Sequence, residues 1–322
     1  MLASAGIAWL AFVGAAGSDG PVPLRLLFAV VAALAFYRAA YFVHEIAHFG
    51  RRPIIGFSLV WHLLVGLPTA IPAFMASAHK DHHRAATYGG ARDPEYAPVA
   101  SWSRAQLLAS VLVMPVLPPL LTARWLLLPP LSLLHPRLRR LTVERLSTLA
   151  IAPDYRRVLP RDEAELRAWR WGEAGAWLYA SVTIAAVLGG WIELSVLCWW
   201  WGIQALALMI NQLKTLVTHA FELDEAGPIA AQIEDSITLG GSWLTELVAP
   251  LGNRYHASHH LVPDAPYHDL PHIHRALVGI PAYDQTCHPG FLAALTKLWR
   301  HAKRQSDGGD LDVLSRADEA AR

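Results

Sequence analysis

Long apolar runs separated by short clusters of charge make up the chain as far as about position 215, after which the sequence turns mixed and polar. Crossing a bilayer core takes about 20 apolar residues in a helix. Two charge-free runs, Ala174–Ile192 and Leu194–Leu213, are separated by Glu193 alone and predict a transmembrane hairpin. An earlier pair, Ala3–Gly17 and Leu26–Val43, flanks the turn-like Asp19–Pro23 and predicts a second hairpin, although its first run is short and its second carries Arg38. Two more apolar stretches, Gly56–Ala78 and Leu107–Leu134, are broken by prolines and flanked by Arg or Lys on both sides. They are expected to be re-entrant or interfacial helices that leave the membrane on the side they entered. The fold class expected is therefore all-α and polytopic, with about four spans in two hairpins.

Arg167 and Arg170 before the clearest hairpin and Lys214 after it place its outer ends in the cytoplasm by the positive-inside rule. Past Lys214 the chain is expected to be cytosolic, with an amphipathic helix around Trp243–Val248 against the bilayer. From Arg304 the mixed charges and Asp-Gly-Gly-Asp predict a disordered tail, which gives one membrane-embedded domain over 1–303 and a tail over 304–322. No basic residue precedes the first apolar run, so a cleaved signal peptide is not expected. An integral protein of a bacterial-type inner membrane is.

Composition sharpens the picture. Hydrophobic residues make up 54% of the 322 and charged ones 16%, against roughly 25% in soluble domains, which excludes disordered, collagen-like and small secreted disulfide classes. Cys198 and Cys287 are expected to be unpaired thiols, too few for an iron-sulfur cluster. The formal net charge of +1 gives no support to a nucleic-acid partner. Locally the charge is uneven: nine basic residues against five acidic ones between Arg137 and Arg170, and six acids without a base between Phe221 and Asn253.

Eight of the sixteen histidines fall in three short windows: His44-Glu-Ile-Ala-His48, His79-Lys-Asp-His82-His83 and His256-Ala-Ser-His259-His260. On a helix, positions i, i+3 and i+4 share a face, so each window presents two or three imidazoles in one direction. Neutral imidazole suits iron, zinc, copper and nickel. Each window ends an apolar helix on the expected cytoplasmic side, where the three can converge on a histidine-rich di-metal site. The first window also fits His-Glu-x-x-His, in which a zinc protease uses two His as ligands and Glu as general base. That accounts for Glu45 but leaves five histidines unused, since catalytic zinc takes three protein ligands. The supply of imidazole fits two ions, and iron is the metal whose redox chemistry uses such a site.

In order and form the three windows resemble the histidine boxes of the membrane-bound fatty acid desaturase and hydroxylase superfamily. The resemblance runs from about Leu26 to Leu277 and includes, after the third box, a Pro-rich connector leading to Leu270-Pro-His-Ile-His274-Arg-Ala-Leu277. It implies that His44, His48, His79, His82, His83, His256, His259 and His260 are iron ligands. It also implies one more ligand from the helix between the second and third boxes, where His219 is the candidate. His274 matches the recurring histidine of the connector. Glu45, Asp81 and Asp264 are the nearest carboxylates that would orient ligand rings, and Asn211 is a candidate for a water-mediated contact. His62, His135, His288 and His301 receive no role.

The function the resemblance implies is oxygen-dependent desaturation of a fatty acyl chain, as lipid or acyl thioester, at a non-haem di-iron centre with molecular oxygen as co-substrate. Box one has Glu45 where many acyl desaturases have Asp, a form shared with the alkane hydroxylase branch, so hydroxylation of an alkyl or acyl chain is the alternative. More distant alternatives are a zinc-dependent membrane metalloprotease and a non-enzymatic metal-binding membrane protein. With no dinucleotide glycine fingerprint and no room for a fused haem domain, electrons must come from a separate donor protein, ferredoxin-like or a small cytochrome. The basic stretch between Arg137 and Arg170, to be probed by reversing Arg156, Arg157 and Arg161, is the candidate docking surface, with anchoring to anionic lipid as the competing role.

Overall fold

The computed structural model describes residues 1–17, 19–48, 54–152, 154–223 and 227–302. The tail expected from Arg304 lies outside the described residues. Among those described the structure is helices and turns, with one two-residue parallel pairing of Thr238–Leu239 with Cys287–His288.

The helices Leu2–Gly17 and Val22–Ala40 form the first hairpin. Ala8, Ala11 and Ala15 face Ala32, Ala33 and Phe36, and both helices pack on Leu197, Trp200 and Ile203 of the helix Leu194–Thr215. Small side chains let helix axes approach closely, the main source of contact energy where lipid removes any hydrophobic drive. Trp9 stacks on Trp200 with ring centroids 5.2 Å apart.

Among the described residues three helical stretches are long and apolar enough to cross a membrane: Val22–His48, Arg104–Leu134 and Leu194–Thr215. The expected spans Leu26–Val43 and Leu194–Leu213 lie within the first and third. Leu2–Gly17 is apolar but shorter, and Ala174–Ile192 falls largely within the 26-residue helix Glu163–Leu188, whose first turns carry charge. Leu107–Leu134, with its five prolines, runs on as helix rather than breaking. Pro115 sits in the 3-10 turn Met114–Val116, and Pro118 and Pro119 in the first turn of Leu117–Leu134, where a missing N–H costs little. The hydroxyls of Thr122 and Ser132 donate to the carbonyls of Pro118 and Pro129 at 2.9 and 3.0 Å.

Gly56–Ala78 does break. The helix Ile55–Trp61 widens into a π turn over His62–Gly66, after which the backbone unwinds around Ala70, with φ of 60°, into the 3-10 turn Ala73–Met75. Freed carbonyls need donors wherever water is excluded. Trp200 Nε1 supplies Pro68 at 3.1 Å and Trp125 Nε1 supplies Ala70 at 2.7 Å. His62, assigned no role from sequence, accepts the Ala73 N–H on Nε2 at 3.2 Å and is a structural residue of this bend.

Two charge expectations change. Arg157, counted toward a docking surface, is buried: its guanidinium donates to the Ser147 carbonyl at 2.6 Å and to the Phe74 carbonyl and Ser77 Oγ at 2.5 Å, and lies over the Trp169 ring at 4.0 Å. It ties the bend before box two to the helix Glu163–Leu188, while Arg156 and Arg161 remain exposed. Lys214, counted as a flanking charge, is also buried, with Nζ donating to the Tyr41 hydroxyl at 3.1 Å. Of the charges flanking the hairpin around Glu193, Arg167 and Arg170 are exposed. Both cysteines are free and exposed.

Candidate metal centre

Each histidine box is a short helix. Box one is Phe42–His48, continuing the hairpin helix Val22–Ala40; box two is His79–His82 with His83 as its C-cap; box three is His256–Leu261. Box three is aimed by a tight turn in which Gly252 has a φ of +73°, and a Cβ there would lie 2.7 Å from the Tyr267 carbonyl oxygen, so only glycine fits. His219 follows the end of Leu194–Thr215 and is held by an antiparallel bridge to Ser236, with Ala220 N–H donating to the Asp235 carbonyl at 2.7 Å.

These elements bring all nine predicted ligands together, sorted into two groups. His44, His48, His79, His83 and His259 form one, and His82, His219, His256 and His260 the other; within each group the candidate ligand atoms lie within 4.8 Å of one another. Boxes two and three each supply both groups, contrary to the expectation that each box points one way: the pairs four apart, His79 with His83 and His256 with His260, stay together, while the members three from the box start, His82 and His259, join the opposite group. The first group keeps partial exposure at His44, His48 and His83, whereas every member of the second is buried.

The Nε2 atoms meet at short range: His79 to His83 at 2.9 Å and His83 to His259 at 3.0 Å in the first group, and His82 to His219 at 3.1 Å, His219 to His256 at 2.8 Å and His256 to His260 at 3.3 Å in the second. A neutral imidazole has one N–H, and a chain of nitrogens facing nitrogens cannot satisfy every one of them. With metal–nitrogen bonds of about 2.1 Å, adjacent ligands at right angles lie about 3.0 Å apart and tetrahedral ones about 3.4 Å, the range seen here. His44 Nε2 and His48 Nε2 are buried without any hydrogen-bond partner among the described residues, a cost of about 1–3 kcal/mol each that an ion would remove. The donor set fits metal in both groups.

Electrostatics agree. Burial first, then neighbouring imidazoles, hold His83, His256, His259 and His260 well below the usual histidine range, keeping them neutral as a metal requires. His82 departs from this: burial opposes charge, but the Asp93 carboxylate, bonded to Nδ1 through both oxygens at 2.9 and 3.0 Å, lifts it above the usual value. His79 Nδ1 donates to Glu95 Oε1 at 2.7 Å. His219 Nδ1 meets the Tyr88 hydroxyl at 2.9 Å and Asp235 Oδ2 at 3.3 Å, and Tyr88 and Tyr96 both donate to Asp235, at 2.8 and 2.9 Å. A carboxylate on Nδ1 fixes the proton there and turns Nε2 toward a metal.

The predicted orienting residues sit elsewhere. Glu45 accepts the Tyr267 N–H at 3.3 Å, and its other oxygen is 3.8 Å from His44 Nδ1, beyond a hydrogen bond. Asp81 pairs with Arg84 at 2.6 Å and accepts from the Tyr155 hydroxyl at 3.1 Å. Asp264 is exposed on the connector, and the Asn211 carbonyl accepts from Thr215 Oγ1 at 2.9 Å. His274 reaches box three indirectly, with Nδ1 2.7 Å from the Tyr283 hydroxyl, which is 2.7 Å from Ser258 Oγ. Sequence reasoning missed Asp93, Glu95, Asp235, Tyr88 and Tyr96. The available signals were Asp93-Pro-Glu95-Tyr96 shortly after box two and the acid-rich segment holding Asp235.

Comparison with known proteins agrees with this geometry. The profile of the family described as fatty acid desaturase matches residues 21–290. A ceramide hydroxylase of Caulobacter vibrioides (strain NA1000 / CB15N) is 35% identical over 312 residues, covering 94% of this chain and 88% of that protein. No solved structure matches. With the three boxes inside the matched region and nine histidines gathered into two metal-sized groups, the chain belongs to the fatty acid desaturase family.

Proposed function

We propose that the protein is a di-iron, oxygen-dependent hydroxylase of a hydrocarbon chain in a membrane lipid, with a ceramide-like N-acyl lipid as the substrate class. The observation that carries the reaction class is the convergence of nine histidines into a five-membered and a four-membered group beside membrane-length helices. The hydroxylation outcome and the lipid class are favoured by the likeness to a ceramide hydroxylase over nearly the whole chain. Desaturation of an acyl chain is the second reading, favoured by the description of the family profile.

His44, His48, His79, His83 and His259 would hold one iron and His82, His219, His256 and His260 the other. Bound there, a pair of irons supplies reductive activation of oxygen and removal of hydrogen from an unactivated carbon. The chain's own groups do the rest. Asp93, Glu95 and Asp235 hold protons on the Nδ1 atoms of His82, His79 and His219, which orients the rings. Burial of the four-histidine group keeps water away, and the partly exposed five-histidine group is the side on which a lipid chain has access.

Electrons come from a separate small carrier, ferredoxin-like or a cytochrome, because two isolated thiols cannot hold a cluster. A nucleic-acid partner is not proposed. The active site is assigned to the cytoplasmic side of an inner membrane, on the charge of Arg167 and Arg170. The test is expression in a host that makes ceramide, followed by mass spectrometry of total lipids under isotopically labelled oxygen. Hydroxylation predicts a lipid carrying one label, absent from the His259→Ala strain. A lipid that has lost two hydrogens and gained no oxygen would replace this reading with desaturation.

A further inference from the structure

The two histidine groups differ in more than size. In the four-histidine group all members are buried, with side-chain exposure of 0% at His82 and 3% at His219, whereas His44 in the other group retains 15%. Two of its four rings are backed by carboxylates that are themselves buried, Asp93 at 0% and Asp235 at 5%. Both carboxylates are fastened. Asp93 also accepts the N–H groups of Gly89 and Glu95, each at 2.9 Å, and Asp235 also accepts from Tyr88, Tyr96 and the Glu222 N–H. In the five-histidine group one ring of five, His79, has a carboxylate within hydrogen-bond distance, and that carboxylate, Glu95, is 39% exposed.

Donor count favours the larger group, but the other differences act on the rate at which an ion escapes. For an ion to leave, a competing ligand must reach it and the ligand rings must turn away. Burial blocks the first, and a clamped Nδ1 blocks the second. An outer partner of this kind is worth about 10–100-fold in metal affinity.

We infer that the four-histidine group is the retained half of the centre and the five-histidine group the exchangeable half, with Tyr88, Asp235 and Tyr96 acting as positioning residues that lock His219. Asp235 matters most because His219 lies outside the three boxes, on a loop rather than a helix, and the same residue pairs its backbone with Ala220 and its carboxylate with the His219 ring. The inference rests on the two-metal reading proposed above and concerns how unequally the two halves hold their ions.

Release of iron from the purified protein in detergent, followed against time with excess of a colour-forming ferrous chelator, tests it without reference to turnover. Two phases of equal amplitude are expected, the slower by at least about tenfold. Asp235→Asn is expected to speed the slow phase about tenfold or more and to leave the fast phase unchanged, while Glu95→Gln speeds only the fast phase. Tyr96→Phe, which removes one hydrogen bond to Asp235 and keeps the ring, shifts the slow phase by a smaller factor and serves if Asp235→Asn does not fold. A single phase in the wild type, or acceleration of the fast phase by Asp235→Asn or Tyr96→Phe, would overturn the inference while leaving two metals per chain intact. A protein that binds only one metal would instead overturn the two-metal reading itself.

Discussion

Replacing Asp93 by Asn keeps the shape of a buried side chain and removes its charge. Each carboxylate oxygen of Asp93 accepts both from His82 Nδ1 and from a backbone N–H: Oδ1 from Glu95, Oδ2 from Gly89. In Asn one of those atoms becomes a donor, so one backbone N–H faces another N–H whichever way the amide turns. A buried donor without an acceptor costs about 1–3 kcal/mol, which falls on the metal-free fold. Loss of the carboxylate behind a metal-ligating imidazole weakens metal binding by about 10–100-fold, or about 1.4–2.7 kcal/mol. Competitive titration against a chelator measures the second effect and thermal unfolding of the metal-stripped protein the first. Metal affinity within twofold of wild type would refute the role given to Asp93, even if the fold were less stable.

Alanine at any of the nine grouped histidines is expected to lower metal content and abolish lipid oxidation, whereas His135→Ala, which removes a helix cap to Arg137 N–H, costs about 1 kcal/mol and keeps the metal, as metal analysis will show. Arg157→Glu is expected to lower the unfolding temperature by about 5 °C or more by leaving the Phe74 and Ser147 carbonyls without their donor, while Arg156→Glu and Arg161→Glu leave it unchanged. If docking of an acidic electron carrier uses this region, wild-type turnover falls with rising salt, and Arg156→Glu and Arg161→Glu lower turnover at low salt and weaken that salt dependence. Gly252→Ala forces a side chain into a positive-φ turn against the Tyr267 carbonyl and is expected to cost about 1–3 kcal/mol and reduce metal content, measured by unfolding and by elemental analysis.

What could be read from the sequence followed from periodicity. Apolar runs marked the helices Val22–Ala40 and Leu194–Thr215, and imidazoles four apart marked shared ligand faces, because both signals are local, whereas the i+3 members His82 and His259 turned to the opposite groups. The same spacing shows why the nearest carboxylates were the wrong choice. Glu45 and Asp81 are one or two positions from a ligand, and residues so placed on a helix point in different directions. The carboxylates that hold the rings come from across the fold: Asp93 lies 11 residues beyond His82 and Asp235 lies 16 beyond His219. Arg157 and Lys214 were misplaced for a related reason, since a charge counted along the chain says nothing about whether its head group is folded inward. The prolines of Leu107–Leu134 suggested a broken helix, but three of them fall at helix starts, where they are tolerated.

The measurement closest to the central claim is the metal content of the protein purified after growth in iron-replete medium, compared with the variants His48→Ala and His256→Ala. About two irons per wild-type chain are expected, because nine converging imidazoles exceed what one ion can take. Each variant is expected to lose iron from its own group, with His256→Ala and His48→Ala losing different phases of chelator release. One zinc per chain with negligible iron would contradict the account.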